Sequence, residues 1–124
     1  MAIPPPAPPD AADYRAMIEQ WCGFVAGLSE PYSFDLDNWL NDVDLRQLIH
    51  EASPMFGPDE VADATRMLDE ADAHFLLVTH EVRTCLWGSK TARREHWSPG
   101  RNWWYFRAPL HSNPELDEEL ARIR

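Results

Sequence analysis

The chain has 124 residues, 44% hydrophobic and 26% charged, with a formal net charge of −10. That length and balance describe one folded domain around one core and exclude disorder across the body. No apolar run approaches the roughly 20 residues needed to span a bilayer, and the negative charge disfavours a polyanion as partner.

Residues 1–9 hold five of the eleven prolines, which fix φ and remove backbone donors, so a flexible, extended Pro-rich tail is expected there, ahead of a single globular domain over residues 10–124. Asp10 stands at an N-cap position. Tyr14, Met17, Ile18, Trp21, Val25 and Leu28 then follow at spacings of three and four, predicting an amphipathic helix over about 10–29 that Pro31 ends. Gly23 and Gly27, one turn apart in it, predict close approach of another helix, because glycine costs a helix interior about 1 kcal/mol relative to alanine. A second helical pattern covers about 35–52, with an interruption between Val43 and Leu45 that predicts a bend near residues 41–44.

Pro58 suits a first helical turn, with Asp59 and Glu60 complementing the helix dipole, so a third helix is predicted over about 58–80. Its buried face is traced by Val61, Ala64, Thr65, Leu68, Ala71, Phe75, Val78 and Val82. Residues 82–87 and 102–107 are rich in β-favouring side chains and predict an antiparallel pair joined by a long polar loop. Alternation along that second strand would send Trp103 and Tyr105 to one face and Trp104 and Phe106 to the other. Asn113 and Pro114 then open a short terminal helix with a stripe of Leu116, Leu120 and Ile123. The fold class expected is mainly α (α+β), a compact three- to four-helix domain with a small antiparallel β-hairpin near the C-terminus.

Charge is distributed unevenly. Residues 1–82 carry a balance of −13, whereas residues 83–112 carry +5 together with four of the six tryptophans. Such asymmetry bears on partners and surfaces, since long-range fields and close ion contacts respond to it. Within the basic stretch, Arg93, Arg94, Trp97, Arg101, Trp103, Trp104, Tyr105 and Arg107 are the candidates for an interface or a ligand pocket, because arginine and large aromatics dominate binding hot spots. The plain alternative packs these tryptophans into the core and lays the arginines over acidic helix faces of the same chain.

Other constellations carry less. The acidic run 35–44 resembles a calcium loop only in composition: its sixth position is Leu40 where a turn-forming glycine is needed, and its twelfth is Arg46 in place of a bidentate glutamate. His50, His74, His80, His96 and His111 show no ligand spacing, so no metal or other cofactor is implied. Cys22 and Cys85 each sit in apolar surroundings and are expected as reduced, buried thiols. No residue set specifies catalysis. The early residues lack the basic-then-apolar pattern of a secretory signal, so the cytoplasm is the expected location, and ten arginines against one lysine suit a GC-rich bacterial genome.

The functional expectation is a small acidic protein–protein interaction module that pairs as a homodimer or with another protein, through no membrane. Two alternatives stand beside it. One is an acidic inhibitor, of the kind an immunity protein is, neutralising a basic partner. The other is a ligand-binding protein or enzyme with an aromatic and arginine pocket at the hairpin–helix junction.

Overall fold

The computed structural model describes residues 7–124. The expected tail over 1–9 therefore lies mostly outside the described residues; of its last part, Ala7 and Pro8 are exposed and non-helical. The first helix, α1, spans Ala11–Gly27 and begins in a capping box: the Asp10 carboxylate accepts from the Asp13 amide at 2.8 Å, while Asp13 accepts from the Asp10 amide at 3.0 Å. Tyr14, Ile18, Trp21 and Val25 form its buried stripe.

Helix α2 spans Leu36–Ala52, with Asp35 as N-cap. It runs unbroken through residues 41–44, so the expected bend is absent. The change of stripe at Val43 is resolved differently: Leu48 turns to solvent while Trp39, Leu40, Val43 and Ile49 face the core. A single 3₁₀ turn, Ser53–Met55, follows.

Helix α3 spans Ala62–Leu77, later than Pro58 suggested. Residues 58–61 make a turn instead, and the Arg15 guanidinium donates to the Glu60 carbonyl at 2.8 Å, holding that turn against α1. The helix ends at the far side too early for the expected span, because Thr79–Glu81 forms a strand, β1. Its partner β2, Arg107–Pro109, pairs antiparallel with Thr79 opposite Pro109 and Glu81 opposite Arg107.

The two β-favouring segments do meet, but displaced from the expected register. The Val82 amide donates to the Phe106 carbonyl at 2.9 Å and the Leu86 amide to the Tyr105 carbonyl at 2.8 Å, yet residues 82–87 run as a loop. Trp103–Phe106 forms a 3₁₀ turn, not a strand. Two-sided alternation therefore fails, and Trp104, Tyr105 and Phe106 are all buried. The connecting polar stretch contains a further helix, α4, Ser89–Glu95. Helix α5, Pro114–Ala121, starts where expected: the Asn113 side chain accepts from the Leu116 amide at 2.9 Å.

The core sits where α1, α2 and α3 converge. Trp21 meets Phe75 at 5.1 Å between ring centroids, Trp39 lies nearly parallel to Phe75 at 6.1 Å, and Phe24 meets Trp39 edge-on at 5.6 Å. The Trp39 indole donates to the Arg107 carbonyl at 3.2 Å, tying α2 to the sheet. Among the described residues no helix is long and apolar enough to cross a membrane.

Candidate interaction surface

Helix α4 carries three exposed cations, Lys90, Arg93 and Arg94. Gly88 opens it at φ 93°, a conformation that favours glycine. Lys90, Ala92 and two arginines are good helix formers, and Ala92 packs against the core. A Schellman arrangement closes it: His96 adopts φ 60°, its amide donates to the Arg93 carbonyl, and the Trp97 amide donates to the Ala92 carbonyl at 2.9 Å. Arg93 and Arg94 fall in the last turn, where cations complement the helix dipole.

The loop after α4 is pinned. The Asn102 amide donates to the Ser98 carbonyl at 2.7 Å, the Asn102 side chain accepts from the Ser98 amide, and its own amide group donates to Gln47 of α2 at 3.0 Å. Asn102 is one of two buried polar residues among the described residues. Arg101 donates to the His96 carbonyl at 2.7 Å and is otherwise exposed.

The eight sequence candidates divide into two groups. Arg93, Arg94 and Arg101 are exposed on α4 and its closing loop, and Trp97 is half-buried beside them, stacked on Tyr105 at 4.2 Å. The other four are held inside. Tyr105 is buried and donates from its hydroxyl to Asp44 at 2.7 Å; burial and that carboxylate push its phenol pKa up. Trp104 is buried with its indole nitrogen unpaired. Trp103 is half-buried, packed on Phe75 at 5.7 Å. Arg107 donates to the Thr79 hydroxyl at 2.7 Å and to the Leu76 and Thr79 carbonyls, closing the C-terminus of α3.

The hairpin–helix junction offers little room for a ligand. Trp103, Arg107 and Phe106 line a recess of about 80 Å³, well short of the roughly 300 Å³ at which small-molecule sites begin. A wider, polar cleft of about 420 Å³ lies between α2 and the α4 loop, lined by His50, Glu51, Glu95, His96, Trp97 and Arg101 among others.

Along α4 and its closing loop, charge pairing is local. Arg94 meets its neighbour Glu95 at 3.4 Å, and Arg83, Lys90, Arg93 and Arg101 make no ion pair among the described residues. On the opposite sign, Asp13 and Glu19 on α1 and Asp69 and Glu70 on α3 are exposed and likewise unpaired. Arg83, Arg93 and Arg101 are thus not ion-paired with the acidic helices of their own chain among the described residues. Comparison with protein-family models, curated proteins and solved structures finds no match.

Two features were not read from the sequence. Asp42 and Asp44, within the acidic run, are half-buried acceptors: Tyr32 donates to Asp42 at 2.7 Å, and Trp87 joins Tyr105 on Asp44 at 3.1 Å. Burial raises the Asp42 pKa, partly offset by the Tyr32 hydrogen bond. Second, Leu76, Leu77 and Leu110 leave 46%, 74% and 49% of their surface exposed near the end of α3, where the run Leu76-Leu77-Val78 extends beyond the helical stripe. Among the described residues no cluster of histidine, cysteine or acidic side chains could hold a metal, and both cysteines are unpaired.

Proposed function

We propose that this chain is a protein–protein interaction module that self-associates, with the basic α4 arm of one copy facing the acidic helices of the other. The observation that carries this reading is the arm's unmatched charge: among the described residues Arg93 and Arg101 make no ion pair and Arg94 pairs only with its neighbour Glu95, all three exposed on a pinned scaffold, while Glu19 on α1 and Asp69 and Glu70 on α3 are exposed carboxylates likewise without ion pairs. A twofold dimer satisfies both surfaces twice with one contact type. Trp97, half-buried at the base of the arm, supplies apolar area beside the charges.

The test is sedimentation equilibrium of the chain and of the R93E/R94E variant across ionic strength. A dimer that weakens at least about tenfold on charge reversal, and that weakens with salt, supports the reading. A monomer at all concentrations sinks it. A complex formed only with a separate basic protein would transfer the acidic faces to an inhibitor's role.

A further inference from the structure

A groove of about 530 Å³ runs beside the C-terminal half of α1, walled by Phe24, Leu28, Tyr32 and Phe34, with Gly23 and Gly27 along one side. Phe34 is 59% exposed, and it meets Tyr32 edge-on at 5.7 Å. Among the described residues no helix packs closely on the two glycines, contrary to the sequence expectation. A Cβ built at either meets nothing within 4 Å. The glycines therefore weaken α1 with no neighbour among the described residues to require it.

Aromatic walls, a smooth floor and side-chain donors are the features that bind a polyproline II segment, whose prolines pack on rings and whose carbonyls accept hydrogen bonds. Gln20 and Ser33 line the same groove and carry such donors. The chain itself contains one matching segment, Ile-Pro-Pro-Pro-Ala-Pro-Pro at residues 3–9. We propose that this groove docks residues 3–9 of a second copy.

Stiffness decides between the two copies. Asp10 enters α1 extended, at φ −87° and ψ 178°, with both its amide and its carboxylate held in the capping box. Ala7 and Pro8 each precede a proline and are steered away from the α region, so no reverse turn is available next to the helix. Along α1, Gly23 lies about 18 Å beyond Ala11 at about 1.5 Å per residue. A turn placed before Ala7 would leave only residues 3–6 of the proline segment, about 12 Å at about 3.1 Å each, to cover that distance backwards. A neighbouring copy whose α1 runs antiparallel presents its residues 3–9 to the groove without any turn.

This docking does not depend on the α4 contact, and the experiment separates them. Amide spectra of the full ¹⁵N-labelled chain are recorded from about 20 μM to about 1 mM, a range that brackets a typical weak peptide contact. Gly23 and Gly27 are two of only five glycines, so their signals are easily followed. The expected result is that both move with concentration, that P4A/P5A/P6A abolishes the movement, and that Gly23→Leu, which has space in its own chain, weakens it at least about tenfold. The same movement should persist in R93E/R94E. Signals independent of concentration but altered by the proline substitutions would place the chain's own tail in the groove and overturn the second-copy proposal. Signals indifferent to the proline substitutions would overturn the docking itself.

Discussion

Asp72 should be the most costly single carboxylate to remove. Its two oxygens receive the Arg46 guanidinium at 3.0 Å each, and Oδ1 also accepts the Trp21 indole at 3.0 Å. The side chains of Arg46 and Asp72 are only 11% and 17% exposed, and the guanidinium lies 4.8 Å from the centre of the Trp104 ring and 5.6 Å from that of Trp103. Removing one member of such a buried pair costs about 3–5 kcal/mol, and leaving a buried indole N–H without an acceptor costs about 1–3 kcal/mol. The two penalties overlap, because both report one emptied site, so about 4–6 kcal/mol is expected for Asp72→Ala. Against a total stability of about 5–15 kcal/mol this brings the chain near its unfolding threshold.

Asp72→Asn keeps an oxygen for Trp21 and should lose about half as much. The R46M/D72N double variant removes the charge and keeps the Trp21 acceptor, and it should recover about 2–3 kcal/mol relative to the sum of the single changes. Urea unfolding followed by tryptophan fluorescence and by circular dichroism gives these differences, provided the denaturant slope is unchanged. A loss under about 1 kcal/mol for Asp72→Ala, or strictly additive single and double variants, would refute the reasoning by showing that water already reaches the pair.

Asp42→Asn should act in the opposite direction. Burial raises the Asp42 pKa in the folded chain, so its contribution to stability is full below the ordinary carboxylate pKa of about 3.9 and is lost as pH rises through the higher folded value. The amide variant, which still accepts from Tyr32, is expected to melt higher than the parent at neutral pH, with the advantage vanishing in acid; a constant difference across a pH series of melting curves would contradict the assignment. At the end of α4, His96→Val should cost about 1–2 kcal/mol in chemical denaturation, since a β-branched residue resists the left-handed backbone at φ 60°, while His96→Gly should be neutral to about 0.5 kcal/mol stabilising, as relief of strain offsets the added chain entropy. Equal stability of both variants would show that the Schellman closure does not hold α4.

The helices that announced themselves did so through local chemistry. Asp10, Asp35 and Asn113 each cap the helix they precede, and the stripe from Tyr14 to Val25 repeats at the helical period, so α1, α2 and α5 were legible. Where the sequence misled, a distant contact outweighed a local preference. Pro58 is a good first-turn residue, yet the bond from Arg15 to the Glu60 carbonyl holds that segment as a turn. Residues 103–106 are strand-forming by composition, but burying Trp104, Tyr105 and Phe106 on one side requires the tighter 3₁₀ path. Helix α4 lacks an apolar stripe because it rests on the core through little more than Ala92, with Trp97 packing just beyond its end. The candidate surface was legible in its charge and only half legible in its aromatics, since composition does not say which rings a turn will carry inward.

The stitching between chain ends has a consequence for how the molecule comes together. Trp39 donates to Arg107, Asn113 donates to the Tyr32 and Phe34 carbonyls, and the Ser89 amide donates to the Arg124 carbonyl at 2.9 Å, while Leu116 is wholly enclosed in the core. Contacts of such long sequence separation close large loops and slow folding. During synthesis the first three helices emerge before the segment that covers Trp39 and Phe75. Until residues 103–116 arrive, the nascent bundle carries an open aromatic face, so the emerging chain is most aggregation-prone before that segment is made.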